Sequence, residues 1–287
     1  MMIANDVDRI RIAVALGGGG ARGFAHIAVV EVLDDLGITP VAIAGTSMGA
    51  VIGAAWAAGL RGKDIRAHCL ALTRDRAQLM ARILRARVGR FVDLFAGQPG
   101  NPMLLDAERL LDLVWPQDVP DRFEELQIPF IAVATDFYDR KAVAHDSGPL
   151  ASAVAASMAI PGLAKGVEID GRVFFDGGIT EPLPHRRLMT ADSESKRPFV
   201  IACDVIGGPV DKTGRAPGPF AALLGASQIL QGALSQEMLV ATPPDLLLRP
   251  PVDQFRLLDF ARLAQVLAAA EATKDEIKRA LGRVLEG

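Results

Sequence analysis

The stretch Val41-Ala42-Ile43-Ala44-Gly45-Thr46-Ser47-Met48-Gly49-Ala50-Val51-Ile52-Gly53 decides the architecture. It opens as a short β-branched and apolar run and changes at Ser47 to an Ala-rich helical composition. That is the pattern of a buried strand feeding directly into a buried helix. No charged residue occurs from Leu36 to Leu60, and Gly45, Gly49 and Gly53 repeat the GxxxG spacing of membrane helix pairs. Pro40 and Gly45 interrupt the stretch, which favours strand plus helix over a membrane-spanning helix.

The same alternation recurs outward from this point. Strands are expected over 11–16, 41–44, 130–135, 173–175 and 199–203. Helices are expected over 24–36, 48–58, 64–87, 107–114, 152–158, 219–239 and 258–284, the last broken near Thr273. Val- and Ile-rich runs alternating with helical patterns predict an α/β fold, a mostly parallel sheet covered by helices. The chain has 287 residues, of which 50% are hydrophobic, enough to bury a large core. The loops over 191–197 and 212–219 are too short to be linkers, so 1–287 is expected to form a single domain.

Composition excludes some function classes. A formal net charge of -3 and a pI of about 5.9 give no footprint for nucleic acid. Cys69 and Cys203 sit apart in apolar stretches, which fits a reducing compartment and no structural zinc. No His/carboxylate cluster has ligand spacing, so neither a metal nor a cofactor is expected. Asp6, Asp8, Arg9 and Arg11 precede only a short apolar run, the wrong order for a cleaved signal peptide, and the expected location is cytoplasmic. Segment 61–90 is strongly basic, with Arg66, Arg82, Arg85 and Arg87 interleaved with apolar residues. Such a helix can lie on an anionic inner membrane surface as a peripheral contact, but a solvated helix packing its Leu face on the core is the favoured reading.

Two motifs carry chemistry. The run Gly17-Gly18-Gly19-Gly20-Ala21-Arg22-Gly23 follows one expected strand and precedes a helix, which turns backbone N–H groups toward an anion. Gly18, Gly20 and Gly23 satisfy GxGxxG, but the next strand ends in Thr46-Ser47 and not in the ribose-binding acid of a dinucleotide site. The alternatives are a purely structural glycine turn and a transient anion, the oxyanion of acyl transfer. Its source is the second motif, 45–49, a GxSxG at a strand-to-helix corner that exposes Ser47 as a nucleophile and offers the Met48 N–H as an oxyanion donor. The serine needs a base. Of the four histidines, His26 lies on the helix after the glycine run, His68 in the basic stretch and His145 in a polar loop; only His185 follows in hydrolase chain order, and Pro-Leu-Pro-His-Arg-Arg reads as an exposed helix start. Asp136, Asp176 and Asp204 end apolar strands and are the alternatives; the residues alone leave the choice open.

Together, GGGGARG at 17–23, GTSMG at 45–49 and DGG at 176–178 resemble the patatin-like phospholipase family in its compact bacterial form. Ala156-Ser157-Met158-Ala159-Ile160-Pro161, the segment 132–136 and the segment 244–250 also resemble family blocks. The resemblance implies a three-layer α/β/α sandwich and a Ser–Asp dyad without histidine, in which Ser47 attacks an acyl carbonyl and Asp176 takes its proton. It further implies an oxyanion hole at Gly18, Gly19 and Gly20 with Arg22 beside it, and phospholipid or other lipid esters as substrates. Arg22 would then meet a lipid phosphate or pin the loop through a carboxylate. Glu181 stands where many relatives carry Asn; facing inward, it would raise the Asp176 pKa by like-charge repulsion. A thioesterase or acyltransferase using the same serine, and a non-enzymatic nucleotide-binding protein using the glycine loop, are the alternatives.

Overall fold

A computed structural model of the chain describes residues 10–74, 81, 84–87, 104–189, 197–210, 214 and 216–285. Among them, eight strands form one sheet: β1 (Ile12–Leu16), β2 (Ala42–Thr46), β3 (Phe130–Asp136), β4 (Lys141–His145), β5 (Val167–Ile169), β6 (Arg172–Asp176), β7 (Phe199–Cys203) and β8 (Leu246–Leu248). The helices are α1 (His26–Asp35), α2 (Met48–Ala57), α3 (Gly62–Arg74), α4 (Ala107–Val114), α5 (Leu150–Met158), α6 (Pro219–Ala241) and α7 (Leu263–Leu285). Strand order is β5-β6-β3-β2-β1-β7-β8, with β4 also paired to β3. The run β3-β2-β1-β7-β8 is parallel, and β4, β5 and β6 pair antiparallel.

Side-chain size along β1 explains the layering. Ile12, Val14 and Leu16 point into the main core with Ile27 of α1, Ile52 and Trp56 of α2, Val154 of α5 and Val266 of α7. The alternate residues Ala13 and Ala15 face the other side, where Leu183, Leu188 and Leu239 lie directly on the sheet. A period of two thus gives one thick helical layer and one thin layer, and both sheet faces are covered. The fold is the α/β sandwich expected, with unequal outer layers.

The register around β3 places two chain ends together. β2 runs parallel to β3 and pairs with it up to Thr46 opposite Val133. β6 runs antiparallel and pairs with it down to Asp176 opposite Ala134. Because β4 occupies residues 132–136 from the other edge, β2 and β6 share one edge of β3 and meet end to end. The residue after β2 is Ser47 and the last of β6 is Asp176.

Glycines make the corner passable. A Cβ on Gly49 would fall inside the Leu16 carbonyl oxygen, and one on Gly45 would collide with the Gly49 carbonyl, so α2 can start hard against β1 and β2 only without these side chains. Gly177 has the same role after β6, where it passes the Val133 carbonyl.

Three expectations are corrected. Helix α7 is continuous through Thr273, whose side chain is buried; the apolar stripe Val266, Ala270, Ile277 and Leu281 outweighs the small propensity loss of one β-branched residue. His145 ends strand β4 and is not in a loop. His185 is fully buried, because Leu183 and Leu188 around it cover the alanine face of the sheet. The basic helix begins as α3, where Arg66 forms ion pairs with Glu31 and Glu271; Arg76, Arg82 and Arg90, with Leu79, Met80 and Ile83, lie outside the described residues. Strands β4, β5 and β8 were not expected from the sequence; each is short and lies at an edge of the sheet.

The packing argument is tested by two glycine substitutions. Gly49→Ala should lower the unfolding free energy by about 3 kcal/mol or more, since the clash is with backbone that cannot rotate away. Gly232→Ala, inside α6 with open space around its Cβ, should raise it by up to about 1 kcal/mol. Urea midpoints at constant m-value report both.

Candidate active site

Ser47 is the N-cap of α2 and has φ 55° and ψ -123°, a conformation a non-glycine residue holds at a cost of about 1–3 kcal/mol. Its surroundings over-determine it. The Ser47 N–H donates to Ser157 Oγ at 2.9 Å, and the Ser157 hydroxyl donates onward to the Val133 carbonyl at 2.6 Å. Ser157 is fully buried in α5, so its hydroxyl ties the corner to β3. The neighbouring Thr46 hydroxyl donates to the Glu181 carbonyl at 2.9 Å.

The Ser47 hydroxyl donates to Asp176 Oδ2 at 2.7 Å. Asp176 Oδ1 accepts the Gly178 N–H at 2.7 Å, and the Asp176 carbonyl accepts from the Thr135 hydroxyl at 2.9 Å. One carboxylate oxygen is therefore fixed by backbone and the other faces the serine. Burial pushes the Asp176 pKa up to about 6, against the lowering effect of the Ser47 and Gly178 hydrogen bonds. Glu181 has no part in that shift. It is buried, but its carboxylate is held by Arg187, Nε at 2.9 Å and Nη2 at 2.6 Å from Oε2.

The other candidate bases are occupied elsewhere. His185 is placed between the carbonyls of Leu183, at 3.0 Å, and Thr242, at 2.8 Å. His26 Nε2 is 2.8 Å from the Gly17 carbonyl, and burial lowers its pKa to about 4, so the neutral ring donates there and anchors the glycine run. Asp136 caps the turn after β3 by accepting from Tyr138 and Asp139 and pairs with Arg172. Asp204 accepts from the Ile206 N–H and lies 3.5 Å from Arg249.

The glycine run passes beside the serine: a Cβ on Gly18 would lie 3.4 Å from Ser47 Cβ. The Gly18 N–H, however, donates to the Pro182 carbonyl at 2.9 Å, which corrects the expectation that it is a free oxyanion donor. Among the described residues the N–H groups of Gly19, Gly20 and Met48 have no partner. Gly20 has φ +56° and packs under Leu257, and Gly23 leaves room for the Met48 side chain, so loop and elbow interlock.

Arg22 is turned away from the serine. Its guanidinium is buried, with Nη2 donating to Gln228 Oε1 at 3.0 Å and Nη1 to the carbonyls of Gly208 and Phe255 at 3.4 Å. Burial lowers its pKa, and the fields of Asp253 and Asp204 oppose that shift. Of the two expectations, loop pinning describes the geometry, through carbonyls and an amide instead of a carboxylate. No sequence pattern pointed to Ser157, Thr135 or Gln228 as partners, although Ser157 lies in the 156–161 block.

The pocket over these groups is lined by Gly18, Gly19, Gly20, Ser47 and Asp176 on one side and by Ile160, Pro161, Ile179, Leu257 and α6 residues on the other. It encloses about 20 Å³, room for roughly one water. Its only charged lining residue is Asp176. Among the described residues no group of His, Cys, Asp and Glu side chains converges as a metal site. The arrangement supplies a hydroxyl hydrogen-bonded to a buried carboxylate beside unpaired backbone N–H groups, the set an acyl transfer needs.

The chain is similar to several known proteins. An NTE family protein of Mycobacterium tuberculosis is 44% identical over 174 residues, covering 61% of this chain and 44% of that one. Lysophospholipase NTE1 of Debaryomyces hansenii is 25% identical over 300 residues, covering 96% of this chain and 18% of that one. This chain therefore spans less than half the length of the curated relatives it matches. The ExoU–SpcU heterodimer of Pseudomonas aeruginosa aligns with a TM-score of 0.49 at 13% identity, covering 97% of this chain and 52% of that chain. A family model described as patatin-like phospholipase matches residues 14–189, more than half of the chain. The chain belongs to the patatin-like phospholipase family.

Proposed function

We propose that this chain hydrolyses acyl esters of lipids through Ser47 and Asp176. The observation that carries the reading is the 2.7 Å hydrogen bond from the Ser47 hydroxyl to a carboxylate that burial has made more basic. Family membership supports it, as does a relative whose name is lysophospholipase.

In this mechanism Ser47 Oγ attacks the ester carbonyl while its proton passes to Asp176 Oδ2. The oxyanion is received by the N–H groups of Gly19, Gly20 and Met48 at the N-terminus of α2, whose dipole adds positive potential. Collapse of the tetrahedral species returns the proton from Asp176 to the leaving alkoxide and leaves an acyl-serine. Water then attacks, again giving its proton to Asp176, and the fatty acid departs with Ser47 Oγ reprotonated. An aspartate at the usual value of about 4 is a weak base, and a value near 6 brings it closer to the working pH. The donors carry much of the remaining stabilisation. A pocket of about 20 Å³ does not hold an acyl chain, so α6 moves outward as substrate enters. The single-domain organisation over 1–287 and a cytoplasmic setting, in keeping with buried free Cys69 and Cys203, are part of the proposal. No described helix is long and apolar enough to cross a membrane.

Three measurements test it. A fluorophosphonate probe should label the wild type and not Ser47→Ala, and Asp176→Asn should lower ester turnover about a thousandfold while His185→Gln retains it per folded molecule. A folded but inactive His185→Gln protein sinks the dyad. The rate should rise with pH through an apparent value near 6, because the ionised Asp176 is the working form, and that limb should persist in His185→Gln. Ser157→Ala should lower kcat about 10–100-fold with KM little changed, since it frees the serine backbone without touching the pocket wall.

A further inference from the structure

Helix α6 turns a polar stripe toward the protein and leaves large apolar side chains in solvent. Its 23 residues carry one charged side chain, Glu237. The polar residues Ser227, Gln228, Gln231 and Ser235 recur at helical spacing on the face turned to the protein. Gln228 and Ser235 are only 8% and 2% exposed, and Ser235 Oγ has no hydrogen-bond partner. Ser227, Gln228 and Gln231 line the Ser47 pocket. On the opposite face Leu223, Ile229, Leu230 and Val240 are 64%, 59%, 70% and 72% exposed, and Phe220 adds a half-exposed ring at the start of the helix. A helix that only packs on its own core buries its apolar stripe and leaves its polar stripe in water. This one buries Leu239 and turns Leu224 to the pocket, but it keeps four polar side chains on that inner face and exposes five large apolar ones outside, and its inner wall belongs to the pocket.

We propose that the outer face of α6 is a docking surface for the acyl layer of a zwitterionic lipid bilayer, which seats the mouth of the Ser47 pocket at the lipid surface. The inference rests on the lipid-ester reading above. The face carries no cation and a single carboxylate, Glu237, exposed two turns after Leu230, so it complements an uncharged acyl layer and gives an anionic headgroup nothing to bind. The five exposed side chains offer on the order of 500 Å² of apolar surface, enough to mark an interaction site. It falls short of the ~800 Å² per partner that a stable dimer of this chain would bury. Ile179, 39% exposed and part of the pocket wall, extends the apolar rim from the docking face to the site.

The test uses the full chain with Ser47→Ala, so that lipid is bound without turnover. Partitioning onto phosphatidylcholine vesicles is compared with that of the same protein carrying Leu223→Glu and Leu230→Glu, neither of which lines the pocket. The double substitution should weaken partitioning about tenfold or more, and partitioning of the parent should be nearly indifferent to salt. With Ser47 restored, the double variant should turn over soluble p-nitrophenyl butyrate at the wild-type rate. Equal partitioning of the two proteins, or partitioning of the parent that disappears at high salt, overturns the docking face. So does a dimer in sedimentation that the substitutions dissolve while vesicle binding is absent. A wild type that partitions through α6 but cleaves no ester instead overturns the hydrolase reading, so the two failures are distinct.

Discussion

Strand β3 is the ruler on which the site is laid out. Two neighbours share one of its edges: β2 arrives parallel and stops opposite Val133, and β6 arrives antiparallel and stops opposite Ala134. Adjacent pairing positions on a single strand are about 3.3 Å apart, so the residues at the two strand ends are forced together. Ser47 and Asp176, separated by 129 positions in the chain, meet because a ladder of backbone hydrogen bonds leaves them nowhere else to be. The glycines at 45, 49 and 177 remove the side chains that would obstruct that meeting.

Once the ends meet, burial sets the chemistry. The same exclusion of water that raises the Asp176 pKa would be damaging for an unpaired charge, and the other buried ionisable groups nearby are compensated. Glu181 is clasped by Arg187, and Arg22 is held by two carbonyls, Gln228 and the fields of two aspartates. Asp176 has only hydrogen bonds, one from the serine and one from Gly178, and no cation beside it. That difference separates a carboxylate that can take a proton from carboxylates that only hold the fold together. Ser157 serves the same site through backbone: by accepting the Ser47 N–H it fixes the strained corner at the start of α2.

Much of this was legible in the chain alone. Val- and Ile-rich runs alternating with helical patterns, the composition change at Ser47 and the glycine spacings point to the α/β class, the elbow and the glycine loop, because each is a local pattern or steric demand. The aspartate that meets Ser47 was not legible from residue physics: Asp136, Asp176 and Asp204 all end strands, and only pairing partners distinguish them. Asp136 closes a local turn with the next residues, whereas the Arg249 beside Asp204 and the Ser47 beside Asp176 are partners that no spacing rule links to them. His185 looked exposed because Pro184 precedes it and two arginines follow, yet it is buried where Leu183 and Leu188 cover the alanine face of the sheet.

The sequence by itself determined which side chains are available for acyl transfer and where the backbone must turn, since GxSxG, the glycine run and DGG state local requirements for space and φ. Only the tertiary structure decided which aspartate meets the serine, which glycine N–H groups stay free after Pro182 takes that of Gly18, and that Arg22 faces the fold. It also decided that α6 shows its apolar side to solvent. These are matters of strand register and packing between distant segments, and a hydrogen bond across 129 positions is set by the sheet between its ends.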